Sequence, residues 1–225
     1  ITPLTCRRQA WWAFMAGGVP AVMKVLADDI HQDAKTVTGL TWANLMPFLS
    51  VKDPDIIPDK KNPYYPEGGT VVLYGNLAPE GSVIKQSAVA KDMMQFTAPA
   101  RVFESEHDAL LALRDRNVRE NEILVIRNEG PKGGPGMPET LAVTMGLSAL
   151  GIKKAAIITD GRFSGGTEGP CIGHVAPEAY DGGPIALVQD GDEITIDIPG
   201  RKLELHVSDD ELEKRKAAWK PFRRE

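Results

Sequence analysis

Residues 155 to 169 read AAIITDGRFSGGTEG, and this stretch decides the fold class. Ala155 to Ile158 form a short apolar, β-branched run, the pattern of a strand buried on both faces. The strand stops at Thr159-Asp160 and opens into a glycine-rich loop with Ser164 at its centre. Glycines at 161, 165, 166 and 169 allow the backbone to approach a ligand closely. A buried strand that delivers Asp160, Arg162 and Ser164 into such a loop is a common way to build an active site, because the scaffold holds the loop still.

The same pattern recurs on either side. Ile123 to Arg127 (ILVIR) is a second buried strand, running straight into a glycine-rich loop from Gly130 to Gly136. Glu139 to Leu150 then reads as a helix, with Leu141, Met145 and Leu150 at core-like spacing. Strands are expected at Thr70 to Tyr74, from Gly81 to Ile84, at Ala100 to Phe103, Ile185 to Val188, Glu193 to Ile198 and Lys202 to Val207. Asp190-Gly191 and Pro199-Gly200 supply turns. Glu106 to Asn117 is a helix, and Ser208 caps a last one, with Glu211 completing a capping box. Strands alternating with three helices predict an α/β domain of mixed topology.

Ahead of this domain the composition shifts. Prolines at 54, 58, 63 and 66 interrupt Lys52 to Gly69 and forbid continuous helix or central strand. The domain boundary is placed at about residue 63, separating 1–62 from 63–225. In the first part, Trp11 to Ile30 suggests two short helices broken at Gly17-Gly18, with Pro20 in the first turn of the second. Thr41 caps a further helix to Leu49.

The 225 residues carry 42% hydrophobic and 25% charged side chains, ordinary for a globular protein. A net charge of −5 argues against a nucleic-acid or anionic-membrane surface. The basic end, Lys214 to Arg224, alternates with glutamates and reads as a solvated helix. Two cysteines, Cys6 and Cys171, make neither a disulfide framework nor a cysteine-rich metal site. No run has the length of a membrane span and no signal peptide is evident, so a soluble, cytoplasmic protein is expected. The first residue is Ile, and a native start is not expected there.

Three long motifs carry a family resemblance: GPKGGPGMPE (Gly130 to Glu139), ITDGRFSGGT (Ile158 to Thr167) and IGHVAPEAYDGGPIALVQDGDEITIDIP (Ile172 to Pro199). From about Tyr65 to about Arg215 the chain resembles the carboxy-terminal domain of dihydroxy-acid dehydratases, in the group that includes phosphogluconate and sugar-acid dehydratases. The resemblance implies a β-barrel flanked by helices, similar to the swivelling domain of aconitase-like enzymes. It also implies that residues 1 to 62 are the helical end of the larger amino-terminal domain, where FMAGGVPAVMKVL stands for the family's HRAGGVPAVMK. CRRQAWW before it departs from the family.

Dehydrating a 2,3-dihydroxy acid to a 2-oxo acid takes a base at C2, a cation to spread the developing charge, and a Lewis acid on the C3 hydroxyl. Ser164 either serves as the base or hydrogen-bonds a substrate oxygen. As a base it needs stabilisation of its alkoxide, for which Arg162 and the Gly165 and Gly166 amides are the local candidates. The resemblance assigns it the base role. Glu139 either complements a helix N-terminus or binds Mg²⁺; the resemblance implies the metal role, although Thr140 replaces the family's methionine. Lys132 either meets the substrate carboxylate or holds its loop against an acid. Asp160 and Arg162 are expected to pair, and His174 to be a satisfied buried residue. The family's iron–sulfur ligands, and its other magnesium ligands, lie in the amino-terminal domain, which is the expected partner within a homodimer. This chain is then a fragment with half of the site. Within the resembled group, Phe163 and Gly166 match the dihydroxy-acid type and not the sugar-acid or phosphogluconate type, so the resemblance implies branched-chain substrates. A serine hydrolase is disfavoured because Gly161 to Gly165 misses G-x-S-x-G, and a nucleotide-binding module because Lys132 precedes its glycines.

Overall fold

A computed structural model describes residues 10–134 and 136–222, in two compact units, Ile1–Glu67 and Gly68–Glu225. Cys6 and the terminal Arg223 and Arg224 lie outside the described residues.

In the first unit residues 10–15 are helical, Gly17 takes φ 119, and α1 (Gly18–Val25) follows. That glycine is required, because a Cβ there would sit 2.6 Å from the Ala21 side chain. Helix α2 (Trp42–Leu45) begins with a reciprocal box in which Thr41 Oγ1 accepts the Asn44 N–H and Asn44 Oδ1 accepts the Thr41 N–H. Residues 51 to 69 contain neither helix nor strand, as the prolines require.

The second unit is a closed mixed barrel of eight strands in the order β1-β2-β6-β5-β4-β3-β7-β8. They are β1 (Val71–Gly75), β2 (Ala78–Ile84), β3 (Gln95–Phe103), β4 (Glu122–Ile126), β5 (Ala155–Thr159), β6 (Cys171–Ala176), β7 (Glu193–Asp197) and β8 (Lys202–Leu205). Strands β3, β4, β5 and β6 run parallel, with Ile126 opposite both Phe103 and Thr159. The crossovers carry α3 (Glu106–Arg114) and α4 (Leu141–Ala149), and α5 (Asp209–Ala218) closes the chain.

The apolar runs are explained by two cores. Ile123, Val125, Ala156 and Ile158 point into the barrel, whereas Leu124, Ile126, Ala155 and Ile157 pack outward with Leu113, Val143 and Leu147 of α3 and α4. Strands β4 and β5 are therefore covered on both faces and show no alternation.

Some expectations are corrected. Residues Pro184–Leu187 form a 3₁₀ turn, not a strand. Their carbonyls leave the ladder to serve Arg127, whose Nη1 donates to the Ala186 and Val188 oxygens at 2.8 and 3.0 Å. The strand in this region is β6. Helix α4 begins at Leu141, two residues after Glu139, because Thr140 donates its N–H to the Arg162 carbonyl at 3.1 Å. Ser208 accepts the Glu211 N–H at 3.4 Å, but Glu211 binds Arg215 and does not return the bond.

Candidate functional site

Parallel pairing puts the carboxyl ends of β3, β4 and β5 side by side, so the segments that follow emerge at one end of the barrel. Those segments are Glu104 to Glu106, the glycine-rich loop Gly130 to Gly136, and the loop around Ser164.

Buried carboxylates organise the end. Asp160, 1% exposed, accepts the N–H groups of Asn128, Glu129 and Ala179 at 3.1, 2.9 and 2.9 Å. Burial raises its carboxyl above the ordinary range, against the lowering effect of those three bonds. Glu178 accepts the Lys132 and Gly133 N–H groups at 3.1 Å and so holds the glycine-rich loop. A Cβ at Gly130 would collide with that carboxylate. The expected Asp160–Arg162 pair does not form, because Asp160 faces inward onto amides while the Arg162 Nε donates to the Met137 carbonyl at 2.7 Å. Lys132 turns its ammonium to Asp181 at 2.7 Å, the loop-holding alternative.

Glu139 and Arg162 form an isolated parallel bridge. With the Thr140 and Arg162 bonds, it stitches the segment carrying Glu139 to the loop carrying Ser164. Glu139 is half-buried, and its charge and that of Glu129 raise the Glu106 carboxyl, after burial as the larger cause. Ser164 is half-buried as well; its Oγ accepts the Gly166 N–H at 3.2 Å, and its carbonyl accepts the Thr167 N–H at 3.1 Å. Gly165 and Gly166 are exposed. Phe163 lies edge-on to His174, ring centres 6.1 Å apart, with its ring over Gly173. His174 is exposed, correcting the expectation of a buried residue. A positive φ of 56 turns its side chain outward while its N–H reaches the Gly161 carbonyl.

Cys171 is 2% exposed in the outer core, 3.5 Å from Thr140 Oγ1, and burial pushes its thiol up to about 11. Among the described residues no group of three or more His, Cys, Asp and Glu is arranged to hold a metal.

Two contributors were not foreseen. Glu178 follows a proline in a segment that reads as loop. Lys85, at the end of β2, donates to the Gly165 carbonyl at 2.5 Å; a lysine after a strand reads as a solvated charge.

A family model described as the carboxy-terminal domain of dihydroxy-acid/6-phosphogluconate dehydratases matches residues 55–225. The chain belongs to this dehydratase family. Relatives named dihydroxy-acid dehydratase include those of Oleidesulfovibrio alaskensis, 54% identical over 215 residues, Archaeoglobus fulgidus, 52% over 210, and Syntrophobacter fumaroxidans, 55% over 208. The matches cover 91 to 93% of this chain but only 37 to 39% of those relatives. Within the dehydratase domain, all seven predicted site residues, Lys132, Glu139, Asp160, Arg162, Ser164, Gly165 and Gly166, fall on the two loops after β4 and β5. No helix among the described residues is long and apolar enough to cross a membrane.

Proposed function

We propose that this chain supplies the proton-abstracting half of a dehydratase site that converts 2,3-dihydroxy acids to 2-oxo acids. The observation that carries this reading is the stitching of the Glu139 and Ser164 loops at the carboxyl ends of β4 and β5, in a chain 54% identical to a dihydroxy-acid dehydratase. As an alkoxide Ser164 Oγ takes the C2 proton and becomes the neutral hydroxyl, and the Gly166 N–H, already directed at that oxygen, stabilises the alkoxide before the transfer. Glu139 suits a hard cation: it is an oxygen donor whose negative charge already bears on Glu106, and a cation would relieve that crowding. Bound there, Mg²⁺ supplies positive charge against the charge that builds on the substrate oxygens. Its remaining ligands come from outside this chain.

An iron–sulfur cluster does not fit the described residues. Cys171 is a lone thiol sealed in a core, and a cluster needs several thiolates. Departure of the C3 hydroxyl therefore belongs to the amino-terminal portion, and with it the cluster that the family resemblance implies. The 37 to 39% coverage of the relatives supports that division. On the same reading the barrel is a swivelling-type domain, and the helical residues before it end the larger domain. The assembled enzyme is then a cytoplasmic or organellar homodimer acting on branched-chain dihydroxy acids for isoleucine and valine synthesis.

Mixing this chain with a cluster- and Mg²⁺-loaded amino-terminal portion of the Archaeoglobus relative tests the reading. Release of 2-oxo acid from 2,3-dihydroxyisovalerate is expected with both parts, from neither alone, and not with Ser164→Ala. Undiminished release by Ser164→Ala would overturn the assignment of the base.

A further inference from the structure

A serine hydroxyl is a very weak acid, and the Gly166 amide is one neutral donor; a base at this position needs positive charge directed at it. Arg162, the cation foreseen for the task, and the nearby Lys132 both bond to other groups. The Arg162 Nε is bound to the Met137 carbonyl and the Lys132 ammonium to Asp181. The Lys85 ammonium instead donates to the Gly165 carbonyl at 2.5 Å. That carbonyl belongs to the same peptide unit whose N–H, on Gly166, donates to Ser164 Oγ at 3.2 Å. Lysine, peptide and serine thus form one directed chain of hydrogen bonds.

We propose that Lys85 controls the basicity of Ser164 through the Gly165–Gly166 peptide. The inference rests on Ser164 being the base. A charged donor on a carbonyl draws electron density toward it, and the N–H at the other end of the same amide becomes a stronger donor. A stronger donor favours the alkoxide over the hydroxyl, since hydrogen bonding to the charged form stabilises it. Lys85 keeps its proton throughout; the C2 proton moves to Ser164 Oγ, and its electron pair stays with the substrate. Lys85 is therefore a positioning residue that touches neither substrate nor reacting atoms.

Its own position is fixed. Ile84, the residue before it, pairs with Val71 on one side and Ile172 on the other. Three residues after it, the Ala88 carbonyl accepts the Gly169 N–H at 3.0 Å. The Ser164 loop is thus held to this segment at Gly165 and again at Gly169. The second hold does not involve Lys85, which allows polarisation to be separated from anchoring.

In the ¹⁵N-labelled chain, Lys85→Met is expected to move the Gly166 amide proton upfield while the Gly169 amide stays in place, and Lys85→Arg is expected to restore Gly166. Movement of both amides shows that Lys85 only anchors the loop and overturns the inference. So does movement of neither, or a shift that arginine fails to restore. In the two-part enzyme, Lys85→Met is expected to move the rising limb of kcat/KM up by about one pH unit, with KM nearly unchanged. An unmoved limb alongside an inactive Ser164→Ala would sink the Lys85 relay alone. An active Ser164→Ala would instead remove the reading on which the relay rests.

Discussion

Ser164 owes its orientation to neighbours whose size is limiting. Phe163, next to it, lies over Gly173, where an added Cβ would stand 2.7 Å from the ring Cδ1 and 3.2 Å from the Gly161 carbonyl. Gly173→Ala must therefore displace Phe163 or part β6 from the Ser164 loop. The ring can yield at its half-buried edge, so a loss of about 1–2 kcal/mol in stability is expected. Catalysis is less tolerant, because a shift of about 1 Å at a reacting group can cost about a hundredfold. In the two-part enzyme, kcat should fall at least tenfold, by about that reasoning, while the melting temperature falls by only about 2–8 °C. Equal turnover by Gly173→Ala and the parent would show that Phe163 does not position the serine. The Ser164 loop was legible in the sequence because glycines flanking a lone hydroxyl form a local signal. Lys85 and Glu178 were not, since each acts over a distance of 80 or 46 residues on backbone groups of another loop, and nothing in their immediate sequence marks that.

At the scale of elements, the start of α3 concentrates negative charge at the site. Glu106 stands in its first turn, where the helix dipole favours a carboxylate by about 0.3–1 kcal/mol. Its carboxyl is nevertheless raised from 4.5, by burial first and then by the charges of Glu129 and Glu139. The unfavourable effects outweigh the dipole. The folded state thus holds this proton more tightly than the unfolded chain. Its contribution to stability is complete below pH 4.5 and is lost as pH rises through the folded value. Glu106→Gln, neutral at every pH, should match the parent in thermal melts near pH 4 and melt higher at pH 7. A lower melting point at pH 7 would mean that the carboxylate is stabilising there, for which the α3 dipole is the available cause. Helices and strands were readable where periodicity or a continuous apolar run marked them, as in α3, β4 and β5. Strand β6 was not, because Gly173 and His174 break its pattern. The apolar segment Ile185 to Val188 mimicked a strand although its carbonyls are drawn to Arg127.

For the whole molecule, closure is the property least visible in the sequence. The local runs predict strands and mixed topology, but β1 and β8 lie more than a hundred residues apart, and no pattern announces their pairing. Their seam is short: one registered pair, Tyr74 with Lys202, beside which the Tyr74 N–H donates to the Arg201 carbonyl at 3.0 Å. It continues through the Asn76 side chain, which exchanges two bonds with the Leu205 backbone at 2.7 and 2.8 Å. Gly75 is what permits the approach, since a Cβ there would collide with the Leu203 carbonyl. Gly75→Val should therefore force the seam apart. The parallel strands β3 to β6, with their two cores, should remain paired, while β1 and β8 become edges able to recruit another chain. Hydrogen exchange is expected to quicken at the Tyr74 and Leu205 amides and not at Leu124 or Ile157, and light scattering should report self-association. Unchanged protection at Tyr74 and Leu205 would mean that the rest of the barrel holds the seam shut without the close approach at Gly75.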